Sequence, residues 1–143
     1  MTDNRKALIE YRLTQAKDSL KEADVLHKSG MSFRSVMNRL YYSMFYTVLA
    51  LLQNKELGTS KHSGAISLFD REYIKSGIFS REMSKALHRA FELRQIGDYM
   101  EETEVTSNDI EEIRPMAAEF VSTAETLLFG KLEGEKQGTG ENL

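Results

Sequence analysis

Arg94 and Asp98 are the charged pair in this 143-residue sequence with the clearest potential for chemistry. They lie four residues apart in a segment whose apolar residues have helical spacing, so an α-helix places them on one face. At 100° per residue, Asp98 and the apolar stripe of the segment all fall within about 60° of Arg94. The pair therefore continues the packed face of the helix. The stripe consists of Met83, Leu87, Ala90 and Phe91.

Charged groups on a packed face need partners, because an unpaired buried charge strongly destabilises a fold. One interpretation makes Arg94 and Asp98 a structural ion pair, bonded to the start of the next helix or across a dimer seam. The other makes them the lining of a cleft for an anionic ligand. The structural interpretation is favoured, because structural networks perturb charges as active sites do.

The histidines and cysteines exclude several kinds of chemistry. No two of the three histidines, His27, His62 and His88, have the spacing of a metal-binding pair. No glycine-rich phosphate loop and no nucleophile elbow occur in the sequence. Because there is no cysteine, a disulfide scaffold, a thiolate metal site and a cysteine nucleophile are excluded. The sequence therefore predicts no metal and no cofactor.

An aromatic cluster precedes the charged pair by some fifty residues. It lies beside two arginines and an asparagine, and arginine next to aromatic rings can hold a base and a phosphate together. Aromatic and arginine side chains are also common in cores and interfaces, and this simpler interpretation is favoured. The cluster comprises Tyr41, Tyr42, Phe45 and Tyr46, and its polar neighbours are Arg34, Asn38 and Arg39.

Helices must position all of these residues, because apolar residues recur at helical spacing along the chain and no strand pattern is evident. Gly30 is expected to stop the first helix, and Thr106 with Asp109 resembles a capping box. Pro115 predicts a kink or a restart of the last helix. The predicted helices cover residues 9–26, 32–54, 63–75, 80–99 and 106–129.

The second predicted helix is apolar on nearly every side between Leu40 and Leu52. Thirteen residues span roughly 20 Å, less than the ~30 Å of a hydrocarbon core, so no membrane span is expected. This helix is predicted to be the buried centre of a bundle, or to offer one face to a dimer.

Charge is distributed unevenly along the chain. The net charge is −3, with +4 in residues 1–62, +1 in residues 63–100 and −8 in residues 101–143. The chain is therefore no strongly basic, non-specific nucleic-acid binder. Its start lacks an apolar signal segment, so a cytoplasmic location is expected. Residues 131–143 are polar and glycine-rich, and we expect a disordered tail after one domain over 1–130.

Four motifs occur in an order that is typical of one family. They are Asn38–Tyr46 (NRLYYSMFY), Lys61–Gly64 (KHSG), Phe69 with Lys75–Gly77 (KSG), and Arg94–Tyr99 (RQIGDY). Together they resemble the HEPN family, and in particular its small stand-alone branch. The resemblance extends over about residues 6–129.

The resemblance implies an all-α, up-and-down bundle of four to five helices that forms a homodimer. Many HEPN proteins are metal-independent RNA endonucleases, with an arginine followed four to six residues later by a histidine. The histidine transfers the proton of the 2′-hydroxyl, and the arginine stabilises the charge on phosphorus. Many are encoded beside a minimal nucleotidyltransferase as toxin–antitoxin or related pairs.

This chain departs from the nuclease motif at Asp98, which stands where the family's histidine is expected. An ionised aspartate does not donate a proton near neutral pH, and Arg94 beside it would lower its pKa further. Arg81 and His88 have the right spacing but do not align with the motif, so their match is interpreted as coincidence.

The first hypothesis is therefore a HEPN-like module that dimerises and binds a nucleotide-type ligand, RNA or a minimal nucleotidyltransferase partner. The alternatives are a metal-independent RNA endonuclease, the toxin of a toxin–antitoxin pair, and a structural adaptor without a ligand. The catalytic candidates of the endonuclease are Arg94 and His62. An imidazole of His62 within hydrogen-bond reach of Arg94 or Asp98 favours a ligand site or a nuclease over the adaptor. The predicted ligand-binding residues are Arg39, Tyr42, His62, Arg94, Asp98 and Tyr99.

Overall fold

A computed structural model describes residues 2–99 and 104–130 of the chain, and the side chains of 2–94 and 104–130. Within these residues the secondary structure is helical, without a strand. A single π-helical turn, Asp70–Ile74, follows the third helix directly. The helices are α1 Asp3–Lys28, α2 Phe33–Asn54, α3 His62–Phe69, α4 Arg81–Tyr99 and α5 Ser107–Phe129.

The central element of the bundle is α2, which packs against α1, α3, α4 and α5. Its buried positions cover about 220° of the helix circumference, and half-buried residues, among them Tyr42, Tyr46 and Leu49, lie on the remaining side. Ion pairs join Lys17 to Glu125 and Asp24 to Arg114, so α1 and α5 run in opposite directions. The all-α bundle predicted from the sequence is confirmed, with α2 at its centre. That one face of α2 pairs with a second copy of the chain stays a prediction.

Side-chain caps fix where the helices begin. Ser32 accepts a hydrogen bond of 3.2 Å from the backbone N–H of Ser35 at the start of α2. At the start of α5, Thr106 accepts one of 3.1 Å from Asp109, and the Asp109 carboxylate accepts one of 2.9 Å from Thr106. This reciprocal pair is the predicted capping box, which satisfies two backbone N–H groups that a helix start leaves without partners.

Gly30 ends the α1 region with φ of 76°, a left-handed conformation that favours glycine. Pro115 lies on the exposed side of α5, and the helix continues through it from Ser107 to Phe129. The sequence predicts a kink or a restart at Pro115. The restart is wrong, because solvent on that side accommodates the ring while the opposite face of α5 stays packed, and the kink stays a prediction. The predicted disordered tail over 131–143 lies outside the described residues.

A membrane span requires about 20 consecutive, mostly apolar helical residues. Neither in 2–99 nor in 104–130 is any helix long and apolar enough to cross a bilayer.

Candidate functional site

His62 is the first residue of α3 and lies against the aromatic face of α2. Its ring stacks on that of Phe45, with 4.0 Å between the ring centres. The hydroxyl of Tyr41 is 2.7 Å from the Nδ1 atom of His62. One helical turn of α2 therefore supplies both the stacking surface and the hydrogen-bond partner of the imidazole, because Tyr41 and Phe45 are four residues apart.

Arg94 reaches the same place from α4. One of its terminal nitrogens is 3.5 Å from Nδ1 of His62, the outer limit of a hydrogen bond. Its guanidinium carbon lies 5.1 Å from the ring centre of Tyr41 and 5.5 Å from that of Tyr42. Arg94 is thus half-buried and held over two aromatic rings, an arrangement that stabilises a guanidinium without removing its hydrogen-bond donors.

The burial and the charge at this place shift two pKa values. Burial, and next to it the positive charge of Arg94, lower the pKa of His62 below its ordinary 6.5. Burial raises the pKa of the Tyr41 hydroxyl, although Arg94 opposes that effect. At neutral pH the imidazole is therefore neutral and the Tyr41 hydroxyl keeps its proton.

A groove lies next to the guanidinium of Arg94, with a volume of about 310 Å³. Its described lining contains three arginines and no carboxylate, so it is cationic, although an ion pair with Glu22 partly neutralises Arg39. The described lining residues are Leu26, Arg34, Ser35, Asn38, Arg39 and Arg94.

Arg39 is held in this groove by its neighbours. Asn38 accepts hydrogen bonds of 3.1 and 2.8 Å from Nε and Nη2 of Arg39. Glu22, an exposed residue of α1, forms an ion pair of 3.1 Å with Nη1. The Arg39 guanidinium also lies 5.2 Å from the ring centre of Tyr42. Tyr42 is therefore approached by the guanidinium groups of both Arg39 and Arg94.

Gly64, two residues after His62, allows Thr59 of the preceding loop to lie close to the backbone of α3. A Cβ atom at Gly64 would lie 3.0 Å from both Oγ1 and Cγ2 of Thr59. A larger residue would require the Thr59 side chain to shift. The glycine of the KHSG motif thus lets the loop before α3 pack closely against the start of that helix.

The structure brings four of the predicted ligand-binding residues together, namely Arg39, Tyr42, His62 and Arg94. The side chains of Asp98 and Tyr99, the other two, lie outside the described residues, although both belong to α4. His88 lies elsewhere, with Nε2 2.6 Å from the carboxylate of Asp70.

Sequence reasoning missed that Tyr41 and Phe45 hold His62 and that Arg34 lines the groove. The spacing of the aromatic residues on α2 could have indicated that Tyr41 and Phe45 act together, since residues four apart share a face of a helix. The groove could not be predicted, because the pattern of one helix does not show what packs opposite it. The sequence identified its polar residues Arg34, Asn38 and Arg39 only as neighbours of the aromatic cluster.

A metal site requires several ligating side chains close together. Among the residues the structure describes, no group of three or more His, Cys, Asp or Glu side chains is arranged to hold a metal ion.

The fold and the site define an all-α bundle with a cationic groove beside a histidine–arginine pair. The family model of the HEPN domain matches residues 9–127, so the chain belongs to the HEPN domain family. A "UPF0332 protein" of Thermotoga maritima is 36% identical over 126 residues, which cover 88% of this chain and 95% of that protein. The "Putative toxin MJ0142" of Methanocaldococcus jannaschii is 32% identical over 133 residues, covering 92% of this chain and 90% of that protein. The predicted family is therefore confirmed.

Proposed function

We propose that this HEPN protein is a binding module for a phosphate-bearing ligand of the nucleotide type, including RNA. The observation that carries the proposal is the convergence of Arg34, Arg39 and Arg94 on one groove beside the ring of Tyr42. Guanidinium groups bind phosphate oxygens through two parallel N–H donors, and an adjacent aromatic ring offers a stacking surface for a base.

The position of His62 supports a ligand site over a purely structural adaptor. Its Nδ1 lies within 3.5 Å of Arg94, although the two residues belong to different helices. The neutral imidazole can accept a hydrogen bond from Arg94, but it does not neutralise the positive charge of the guanidinium. A phosphate in the groove would supply a negative charge next to it.

The proposal includes pairing with a second copy of the chain, as the family resemblance implies. A minimal nucleotidyltransferase remains the proposed protein partner. Neither feature is needed for the groove to bind phosphate, so each is tested separately, by the mass of the particle in solution and by co-purification with such a partner.

Ligand binding is tested with a fluorescently labelled single-stranded RNA, by anisotropy at several salt concentrations, and with AMP by calorimetry. We expect Arg94→Ala to weaken both interactions at least tenfold. Arg34→Ala should make the negative slope of log K against log salt for RNA shallower by about 0.7, which corresponds to the loss of one phosphate contact. The control is Arg81→Ala, an exposed position on α4, the helix that carries Arg94. The proposal is wrong if neither probe binds, or if Arg94→Ala binds like the control.

A metal-independent ribonuclease is the second candidate function. Two observations favour it: the contact between His62 and Arg94, and the word toxin in the name of the Methanocaldococcus relative. In this case His62 would transfer a proton and Arg94 would stabilise the charge on phosphorus.

Replacement of His62 by glutamine separates the two functions, because an amide donates a hydrogen bond but does not exchange protons in catalysis. RNA cleavage in EDTA that is lost in both His62→Gln and Arg94→Ala would establish the ribonuclease. Binding that persists in His62→Gln, without cleavage by the unaltered protein, would establish the binding module.

A further inference from the structure

The hydroxyl of Tyr41 and the guanidinium of Arg94 approach the same atom, Nδ1 of His62, at 2.7 and 3.5 Å. A guanidinium has only donors, so its contact requires a lone pair on Nδ1. The Tyr41 hydroxyl retains its proton because burial raises its pKa, and it can donate that proton to the same nitrogen. Two donors facing one nitrogen leave no place for a proton on it.

We infer that Tyr41 is a positioning residue that, with Arg94, holds His62 as the neutral imidazole with its proton on Nε2. His62 then serves the site as a hydrogen-bond donor and not as a base. This inference rests on the proposed function for its biological use, since a donor beside Arg94, which lines the groove, suits a ligand group that only accepts hydrogen bonds, such as a phosphate oxygen.

The surroundings of the imidazole enforce this arrangement. Tyr41 is fully buried and its ring lies between those of Phe45 and Phe91, with centre distances of 5.6 and 5.8 Å. The hydroxyl is therefore fixed by the packing of α2 against α4. The imidazole is fixed in turn by its stack on Phe45. A rigid donor aimed at a rigid ring selects one tautomer, as the partners of a histidine generally do.

Protonation of His62 would place a second positive charge next to Arg94. Among the described side chains, the ring contacts and hydrogen bonds of the imidazole are with Tyr41, Tyr42 and Phe45 from α2 and with Arg94 from α4. None of these four is an anion that would stabilise an imidazolium. Both the geometry and the lowered pKa of His62 thus favour the neutral imidazole.

The test is nitrogen-15 NMR of the full chain, which distinguishes protonated from unprotonated ring nitrogens, with His62→Gln to assign the signals. Near pH 7 we expect an unprotonated Nδ1 and a protonated Nε2 in the unaltered protein. Tyr41→Phe should move the Nδ1 signal toward the mixture of tautomers seen in an unconstrained histidine. Arg94→Gln should move it in the same direction and raise the pKa of His62.

The matched control is Tyr73→Phe. Tyr73 is also buried and donates one hydrogen bond, of 2.8 Å, but to the carbonyl of Leu51 and not to His62. Tyr73→Phe should leave the NMR signals of His62 unchanged, although it destabilises the fold about as much as Tyr41→Phe does. A merely structural Tyr41 would make the two tyrosine variants alike.

A protonated Nδ1 in the unaltered protein overturns the inference, as does a folded Tyr41→Phe variant whose Nδ1 signal does not move. Should Tyr41→Phe not fold, the unaltered protein and Arg94→Gln still decide the question. AMP binding to Tyr41→Phe should be about fivefold weaker, the effect of one hydrogen bond. Failure of AMP to bind any variant would contradict the proposed function and leave the tautomer result standing.

Discussion

The guanidinium carbon of Arg94 lies 5.1 Å from the ring centre of Tyr41, the same residue whose hydroxyl reaches His62. Tyr41 thus connects the cation on α4 with the histidine at the start of α3. The planar, delocalised guanidinium can lie over aromatic rings and still present N–H donors, whereas an ammonium group offers a single point charge. Arginine and lysine are therefore not equivalent at this position.

Arg94→Lys is predicted to weaken binding of the labelled RNA about fivefold to tenfold, because lysine loses the paired donors and about 1 kcal/mol of cation–π attraction. Since the charge is retained, the slope of affinity against salt should change little. Anisotropy titrations at several salt concentrations measure both quantities. Arg81→Lys, on the exposed side of α4, is the matched control, and equal affinities of the two variants would contradict the prediction.

Gly64→Ala is predicted to destabilise the fold, because the new methyl group would lie 3.0 Å from two atoms of Thr59. In a Thr59→Ala background the same substitution should stabilise the protein by up to about 1 kcal/mol, since alanine is the better helix former and the obstacle is gone. Urea unfolding of the single and double variants forms the required cycle. The explanation fails if Gly64→Ala has the same effect in both backgrounds.

The helices could be predicted because local signals agree with the packing. Ser32 and the pair Thr106–Asp109 mark helix starts, and Gly30 ends the α1 region. The third helix, predicted over 63–75, is α-helical only as far as Phe69 and continues as the π turn Asp70–Ile74. Such a turn depends on tertiary contacts, for example the hydrogen bond of 2.8 Å from Ser84 to the Asp70 carboxylate, and local periodicity does not show it.

The site could be predicted only in part. Helical geometry places Arg94 on the packed face of α4, and the structure has it over the rings of Tyr41 and Tyr42. The partner of His62 could not be derived in this way, because Tyr41 is 21 residues distant and the connecting loop leaves the register of α3 open. Periodicity gives the face of each helix but not which residues meet across the interface.

The free energy of unfolding is predicted to fall as the pH decreases below about 6.5, in part because of His62. Its pKa is lowered in the folded protein by burial and by Arg94, so the unfolded chain binds the proton more readily. The stability is thus present above the unfolded pKa of 6.5 and decreases below it, until the folded imidazole is protonated as well. Urea unfolding of the unaltered protein and of His62→Gln at each pH gives the difference curve, which isolates His62 from the other two histidines.

A second acid-sensitive group provides the comparison for that measurement. Arg114 donates hydrogen bonds of 3.0 and 2.7 Å to Asp24 and thereby lowers the pKa of its carboxyl. Stability from this pair is present above the ordinary pKa of 3.8 and is lost as the pH falls through the lower folded value. Asp24→Asn should therefore differ from the unaltered protein least at the lowest pH. A difference curve for His62→Gln that stays flat as the pH falls below 6.5 would contradict the assignment of a neutral, half-buried imidazole.

Pro115→Ala is predicted to stabilise the protein by about 1–3 kcal/mol, since proline is about 3 kcal/mol less favourable than alanine inside a helix. Pro115 lies within α5 on its exposed side and lacks the N–H that would bond to the carbonyl of Glu111. Alanine restores this donor and removes the clash of the ring with the preceding turn, while the buried face of the helix is unchanged. Thermal and urea unfolding measure the gain, and Glu119→Ala, an exposed position one turn further on, should stay within about 0.5 kcal/mol of the unaltered protein. A loss of stability in Pro115→Ala would show that the proline sets a bend of α5 on which the packing against α1 and α2 depends.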